Sequence, residues 1–343
     1  MISKLKQFIS RRHDPYWNIA LEKYLTTHCE AGSCTLFLWQ NQPTVVIGRN
    51  QNAREECRIQ ALTEGGCLLA RRFSGGGAVY HDLGNVNFSF LVRKEDYDIG
   101  RQSEVILQGL KKLGVPAEKT GRNDFAVEGR KFSGNAFYEM QGCCCHHGTI
   151  MLDVDTEAME KYLSVPPAKL HSKGVSSVRA RVMNLREILP DISVPVLNDG
   201  LIASFQAVYG LNAVPLTLSS LDEEEIQREA ERLASPAWLF PPRIPFALEI
   251  NGRFPWGGIR IGLSVRQNRV QEADCESDAL DESIIREIQN ALPGSPLDGE
   301  QLAERALAAA SAPNEEAAGA FSRTRMARDI AELIQTQLTA ERN

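Results

Sequence analysis

Residues 124–154 read DFAVEGRKFSGNAFYEMQGCCCHHGTIMLDV, and this stretch decides the fold class. Apolar and β-branched runs at 125–127, 131–137 and 149–154 predict three strands in close succession, with Glu128-Gly129 breaking the first two apart. Neighbouring strands with few helices between them fit an α+β architecture better than a doubly wound parallel sheet. Within 131–137 the strand period of two predicts Lys131, Ser133 and Asn135 on one face and Phe132 on the other.

Upstream, 15–28 has helical spacing, with Trp17, Ala20, Leu21, Tyr24 and Leu25 near one face. The runs 36–39 and 44–47 predict two strands, and Asn41-Gln42-Pro43 between them reads as a hairpin connection. A short helix over 54–62 ends at Gly65-Gly66, and 67–70 leads into a glycine loop. Residues 87–92 extend the sheet, and 99–113 form a helix stopped by Gly114 and Pro116.

Downstream, prolines over 190–195 break a helical stretch, and 215–245 reads as a linker holding one charged helix, 222–233. Ser220 and Glu223 have the spacing of a capping box that would start it. Strand alternation returns at 247–250 and 259–265, and helical, alanine-rich spacing follows from 283. The organisation expected is a catalytic domain over 1–245 and a small α+β accessory domain over 246–343.

Composition narrows the function. The 343 residues are 43% apolar and 24% charged, with net charge −6 and a pI near 5.7. Such a chain lacks the basic face that nucleic-acid backbones require. No run of about 18 apolar residues predicts a membrane span, and the basic N-terminus has no following apolar segment of a secretory signal. Eight cysteines without a framework spacing point to reduced thiols and a cytoplasmic location.

Three constellations could carry chemistry. In Arg71-Arg72-Phe73-Ser74-Gly75-Gly76-Gly77 the glycine amides can form an anion nest beside fixed positive charge, although a plain turn between strands fits the same residues. Neither a P-loop nor a dinucleotide-binding glycine pattern is present. Lys131, with polar neighbours, is a candidate reactive cation; a lone strand lysine is also an ordinary surface residue. The run Cys143-Cys144-Cys145-His146-His147 has zinc's donor types, but adjacent strand side chains point to opposite faces, so no metal is expected there.

In order along the chain, DPYWNIALE, TVVIGRNQN, RRFSGGGAVYHD, GRNDFAV, GRKFSGNA, HHGT and SVRARVMNL resemble the lipoate-protein ligase A family of the biotin/lipoate ligase superfamily. The resemblance covers roughly 5–190 through motifs and the remainder through layout. It implies an ATP-dependent enzyme that joins lipoate and ATP into lipoyl-AMP, releases pyrophosphate, and passes the lipoyl group to a lysine of lipoyl domains. The expected recipients are 2-oxoacid dehydrogenase E2 subunits and the glycine cleavage H protein; the expected enzyme is a monomer using Mg²⁺ with its ATP. A sister activity, transfer of lipoyl or octanoyl from a preformed donor without ATP, shares the fold.

Carried over by position, the resemblance makes Lys131 catalytic. It assigns Arg72, Gly75, Gly76, Gly77, Ala78, Val79, Tyr80, Asn85, Asp124 and Lys131 to ATP and the adenylate. His81, Ser133, Gly134, Ala136, His147 and Thr149 become candidates for the lipoate pocket. Phe73, the short 127–130 connection and the Cys143-Cys144-Cys145 run depart from the family pattern.

Overall fold

A computed structural model describes residues 1–121, 123–164, 181–309 and 322–340. Arg122 and residues 177–180 of SVRARVMNL lie outside the described residues, as do 310–321 and 341–343 of the expected accessory domain. The chain forms two compact units. The first comprises Met1–Ile47, Ala53–Arg71 and Ala78–Leu239; the second comprises Phe240–Asn343 together with Gly48–Asn52 and Arg72–Gly77.

The first unit is built on an eight-stranded mixed sheet. Its strands are β1 (Lys4–Ile9), β2 (Ser33–Trp39), β6 (Asn85–Arg93), β7 (Glu118–Thr120), β8 (Asp124–Val127), β9 (Arg130–Met140), β10 (Cys143–Met151) and β11 (Ala213–Pro215). They are ordered β11-β1-β2-β6-β10-β9-β8-β7. A smaller sheet, β4-β3-β5, contains β3 (Thr44–Ile47), β4 (Leu68–Arg71) and β5 (Val79–His81). The runs around 36–39 and 44–47 therefore do not form the expected hairpin: β2 pairs with β1 and β6, and β3 pairs with β4 and β5.

Alternation along β6 and β10 divides the large sheet into two faces. Val86, Phe88, Phe90 and Val92 join Val105, Ile106, Leu110, Leu197, Leu201 and Phe205 of the helices Ile99–Lys112 and Val194–Tyr209 in the core. Asn85, Asn87 and Ser89 point the other way, where the helix Pro15–Thr27 lies. That helix starts at Asp14, whose carboxylate accepts from the amides of Tyr16 and Trp17, with Pro15 in the first turn.

The charged helix expected within 215–245 is present as Glu223–Ala234, but it packs through Ile226, Ala230 and Leu233 and belongs to the first unit rather than to a linker. Its cap is Asp222, accepting from the Glu225 amide, rather than Ser220, whose hydroxyl donates to the Thr217 carbonyl. The second unit has its own sheet, β12 (Leu248–Phe254), β13 (Gly257–Arg266) and β14 (Arg269–Ser277), and its own core around Trp256, Ile261, Ile285 and Ile330.

Candidate active site

A bulge in β9 places the lysine. Against β8, Asp124 pairs with Gly134 and Phe125 with Ser133, but Ala126 pairs with Lys131, so Phe132 is an extra residue. Strict alternation would have kept Lys131 with Ser133 and Asn135. The extra residue reverses the phase: Ser133 sits opposite Phe125 at the core face, and Lys131 shares the other face with Asp124 and Gly134. Phe132 is fully buried in the core.

On that face the Lys131 ammonium lies 2.7 Å from Asp124 Oδ1, the two side chains being 33% and 23% exposed, so the cation is held yet reachable. Gly134 makes room for it, since a Cβ there would stand 2.8 Å from Lys131 Nζ. The Gly134 amide donates to Thr149 Oγ1 at 3.2 Å. Asn123 clamps the same stretch of β9: its Nδ2 donates to the Asn135 carbonyl, and its carbonyl accepts from the Asn135 amide, both at 2.7 Å. The Met183 amide donates to the Lys131 carbonyl, and Arg130 pairs with Glu187, tying residues 182–187 to the start of β9.

The same sheet face continues away from Lys131 through Thr149, Ala136 and His147 to a buried polar chain. His147 Nδ1 is 2.8 Å from Glu22 Oε1, Ser89 Oγ donates to that oxygen at 2.5 Å, and Trp39 Nε1 donates to Ser89 Oγ at 3.1 Å. His81 stands edge-on to Trp39 with ring centroids 6.2 Å apart, and Asn41 Nδ2 lies 3.2 Å from its Nδ1. Asn85 donates to Asn87 Oδ1, and Asn87 donates to the Trp39 carbonyl, also along this face. The sequence-predicted residues Lys131, Asp124, Gly134, Ala136, His147, Thr149 and Asn85 thus share one face, while Ser133 is on the opposite one.

His146 also faces the core. Burial drives its pKa down to about 3, so the ring is neutral. Asn135 Nδ2 donates to the Asn123 carbonyl, which leaves Asn135 Oδ1 facing His146 Nε2 at 3.0 Å, and His146 Nδ1 lies 3.0 Å from Gln102 Oε1. Every cysteine with a resolved shift moves upward, chiefly through burial: Cys67 to about 11, Cys34, Cys57 and Cys144 to about 12, and Cys29, Cys145 and Cys275 further. These thiols stay protonated at neutral pH and are poor nucleophiles.

Motif reading missed Glu22, Trp39, Ser89 and Asn123 as site residues, and it put Asn135 on the Lys131 face, from which the bulge removes it. A signal for Glu22 existed: Asn18, Glu22 and Thr26 are four residues apart and fully buried, a polar stripe on the inner side of an otherwise apolar helix.

In the second unit, Arg72 is turned onto its own loop. Its guanidinium donates to Ser74 Oγ at 2.9 Å, Gly75 O at 2.6 Å and Gly77 O at 2.9 Å. The Gly76 amide donates to Ala279 O, and a Cβ on Gly75 would come within 2.2 Å of that oxygen. The glycines therefore also serve close backbone packing within this unit. Ala78, Val79 and Tyr80 run into β5 of the first unit, where the Tyr80 ring lies 5.8 Å from that of Tyr162.

Comparison with known proteins gives the class first. Residues 14–206 match the family model of the lipoyl protein ligase A/B catalytic domain, and 244–317 match the bacterial lipoate protein ligase C-terminus. The lipoate-protein ligase A of Psychrobacter cryohalolentis is 39% identical over 297 residues, 84% of this chain and 88% of that protein. That of Blochmanniella pennsylvanica is 36% identical over 306 residues, 87% and 90% of the two. LipL1 of P. falciparum, solved in complex with lipoate, superposes with a TM-score of 0.83 at 26% identity, covering 97% of this chain and 99% of that one. A bipartite lipoate protein ligase from Thermoplasma acidophilum, studied with its E2 lipoyl domain, gives 0.61 at 25% identity over 72% of this chain and 100% of that one. The chain belongs to the lipoate-protein ligase A family.

Proposed function

We propose that the chain is an ATP-dependent lipoate-protein ligase with Lys131 as its catalytic cation. The carrying observation is the ammonium of Lys131, held by Asp124 over Gly134 at the reachable end of a sheet face that runs inward to His147. In the first step a lipoate carboxylate oxygen attacks the α-phosphorus of ATP, and the bond to pyrophosphate breaks. Two anions must meet, so a fixed cation between them lowers their repulsion and stabilises charge on the transferring group. In the second step a lysine amine of the acceptor attacks the acyl carbon, and AMP leaves; Lys131 can polarise the same carbonyl. Mg²⁺ would enter with the ATP phosphates, and Asp124, already paired with Lys131, is the carboxylate at hand to orient a metal-bound water.

The acyl chain fits along Gly134, Ala136, Thr149 and His147, with His81 near its far end, and Ser133 acts from behind the strand by packing. Arg72, residues 75–80 and Asn85 are assigned to the nucleotide and adenylate. The acceptors are lipoyl domains of 2-oxoacid dehydrogenase complexes and the glycine cleavage H protein, met in the cytoplasm. Among the described residues no helix is long and apolar enough to cross a membrane.

Lipoate-dependent exchange of labelled pyrophosphate into ATP tests the reading. Exchange above background is expected. Its absence, with transfer from synthetic lipoyl-AMP intact, would replace the ligase by a transferase. Protonated thiols already weigh against a transferase that works through a cysteine nucleophile.

A further inference from the structure

The run of three cysteines and two histidines lies on β10, so strand alternation divides it. Cys145 and His147 point to one face, and there the helix Pro15–Thr27 brings Glu22 to meet them. A cysteine sulfur, an imidazole nitrogen and a carboxylate oxygen of these residues all lie within 4.8 Å of one another. All three residues are buried: Cys145 and Glu22 completely, and His147 at 8% exposure. A second observation is independent of this convergence. Glu22 Oε1 is engaged by His147 and Ser89, but Glu22 Oε2, equally enclosed, has no hydrogen-bond partner among the described residues. A buried polar atom left this way carries a cost that a ligand would remove.

We propose that Glu22, Cys145 and His147 form a binding site for a borderline divalent cation of the zinc class, with three protein ligands and one position open. The donor set is the one zinc prefers, and bonds of about 2.0–2.3 Å need ligand atoms within about 4 Å of one another, a small contraction from the distances present. Binding forms a sulfur–metal bond and releases the thiol proton to solvent. Thiolate and carboxylate then balance the two positive charges, so the buried site is neutral as a whole. Ser89 Oγ, itself receiving Trp39 Nε1–H, holds the carboxylate in place as an outer-shell partner. Two of the five residues in the run suffice when a helix supplies the third ligand.

The test uses neither lipoate nor ATP, so it stands apart from the ligase assignment. Metal-free full-length protein is titrated with Co²⁺, a spectroscopic stand-in for zinc. One equivalent should produce a sulfur-to-cobalt charge-transfer band that Zn²⁺ abolishes by displacement. Cys145→Ser should remove the band, Glu22→Gln should weaken Co²⁺ binding at least about tenfold, and Cys275→Ser, in the other unit, should leave both unchanged. If Cys145→Ser does not fold, His147→Gln, which must also weaken binding at least about tenfold, takes its place. No band in the wild type, a band surviving Cys145→Ser, or unchanged affinity in the Glu22 and His147 variants would overturn the site.

Discussion

Lys131 owes its position to one extra residue. Phe132 fills the core and, by interrupting the alternation of β9, moves the lysine from the Ser133 face to that of Gly134 and Asp124. Lys131→Ala should reduce lipoate-dependent pyrophosphate exchange to background while shifting stability by less than about 1 kcal/mol, because the ion pair it loses is partly solvated. Retained exchange would remove the lysine from the mechanism. Gly134→Ala tests placement rather than charge. The new methyl would press on Lys131 Nζ and Cε, so exchange should fall about 10- to 100-fold with the melting temperature nearly unchanged. The lysine itself was legible in GRKFSGNA. Its face was not, because a bulge depends on which residues of β8 pair with β9, and period counting within one strand carries no such information. The spacing of Asn18, Glu22 and Thr26 marks Glu22 as part of a polar stripe, but not its partners, since Ser89 and His147 are brought to it only by tertiary packing.

Among whole elements, the strands read at 36–39, 44–47, 67–70, 87–92, 125–127 and 131–137 and the helices read at 15–28, 99–113 and 222–233 fall close to where periodicity put them. By contrast, β1, β5, β7, β11 and the helices Thr156–Tyr162 and Val194–Tyr209 have no counterpart in that reading, and the strand expected over 149–154 runs over Cys143–Met151. Other misses come from pairing. Asn41-Gln42-Pro43 has turn chemistry, yet a turn between strands does not oblige them to hydrogen-bond to each other; β2 finds β1 and β6, while β3 finds β4 and β5. The charged helix Glu223–Ala234 looked like a solvated linker because its buried stripe is only Ile226, Ala230 and Leu233, narrow against so many charges. Its start separates two readings of the same residues. With Asp222 accepting from the Glu225 amide, Asp222→Ala should cost about 1 kcal/mol in urea unfolding, and Ser220→Ala less than about 0.5 kcal/mol. The reverse order would restore the capping box read from Ser220 and Glu223.

At the scale of the whole molecule, chain order and packing diverge. Residues 48–52 and 72–77 lie early in the sequence, but their partners are late: Asn50 O accepts from the Ser277 amide, Asn50 Nδ2 donates to Glu282 O, and the Gly76 amide donates to Ala279 O. Contacts spanning more than 200 residues leave no mark on local composition, which is why the glycine loop reads simply as part of the first domain. Removing residues 240–343 should therefore do more than delete a neighbouring unit. The first unit keeps its own core around Phe88, Phe90, Ile106 and Leu201, so a truncated chain ending at Leu239 should still unfold cooperatively. The loop, however, loses the backbone that fixes Gly75 and Gly76, and with it the arrangement in which Arg72 is held. Lipoate binding, which the proposed function places along β9 and β10, should survive within a few-fold by calorimetry, whereas pyrophosphate exchange should fall at least about tenfold through loss of positioning. Exchange at the full-length rate in the truncated protein would mean that the ordering of the glycine loop by the second unit has no part in adenylation.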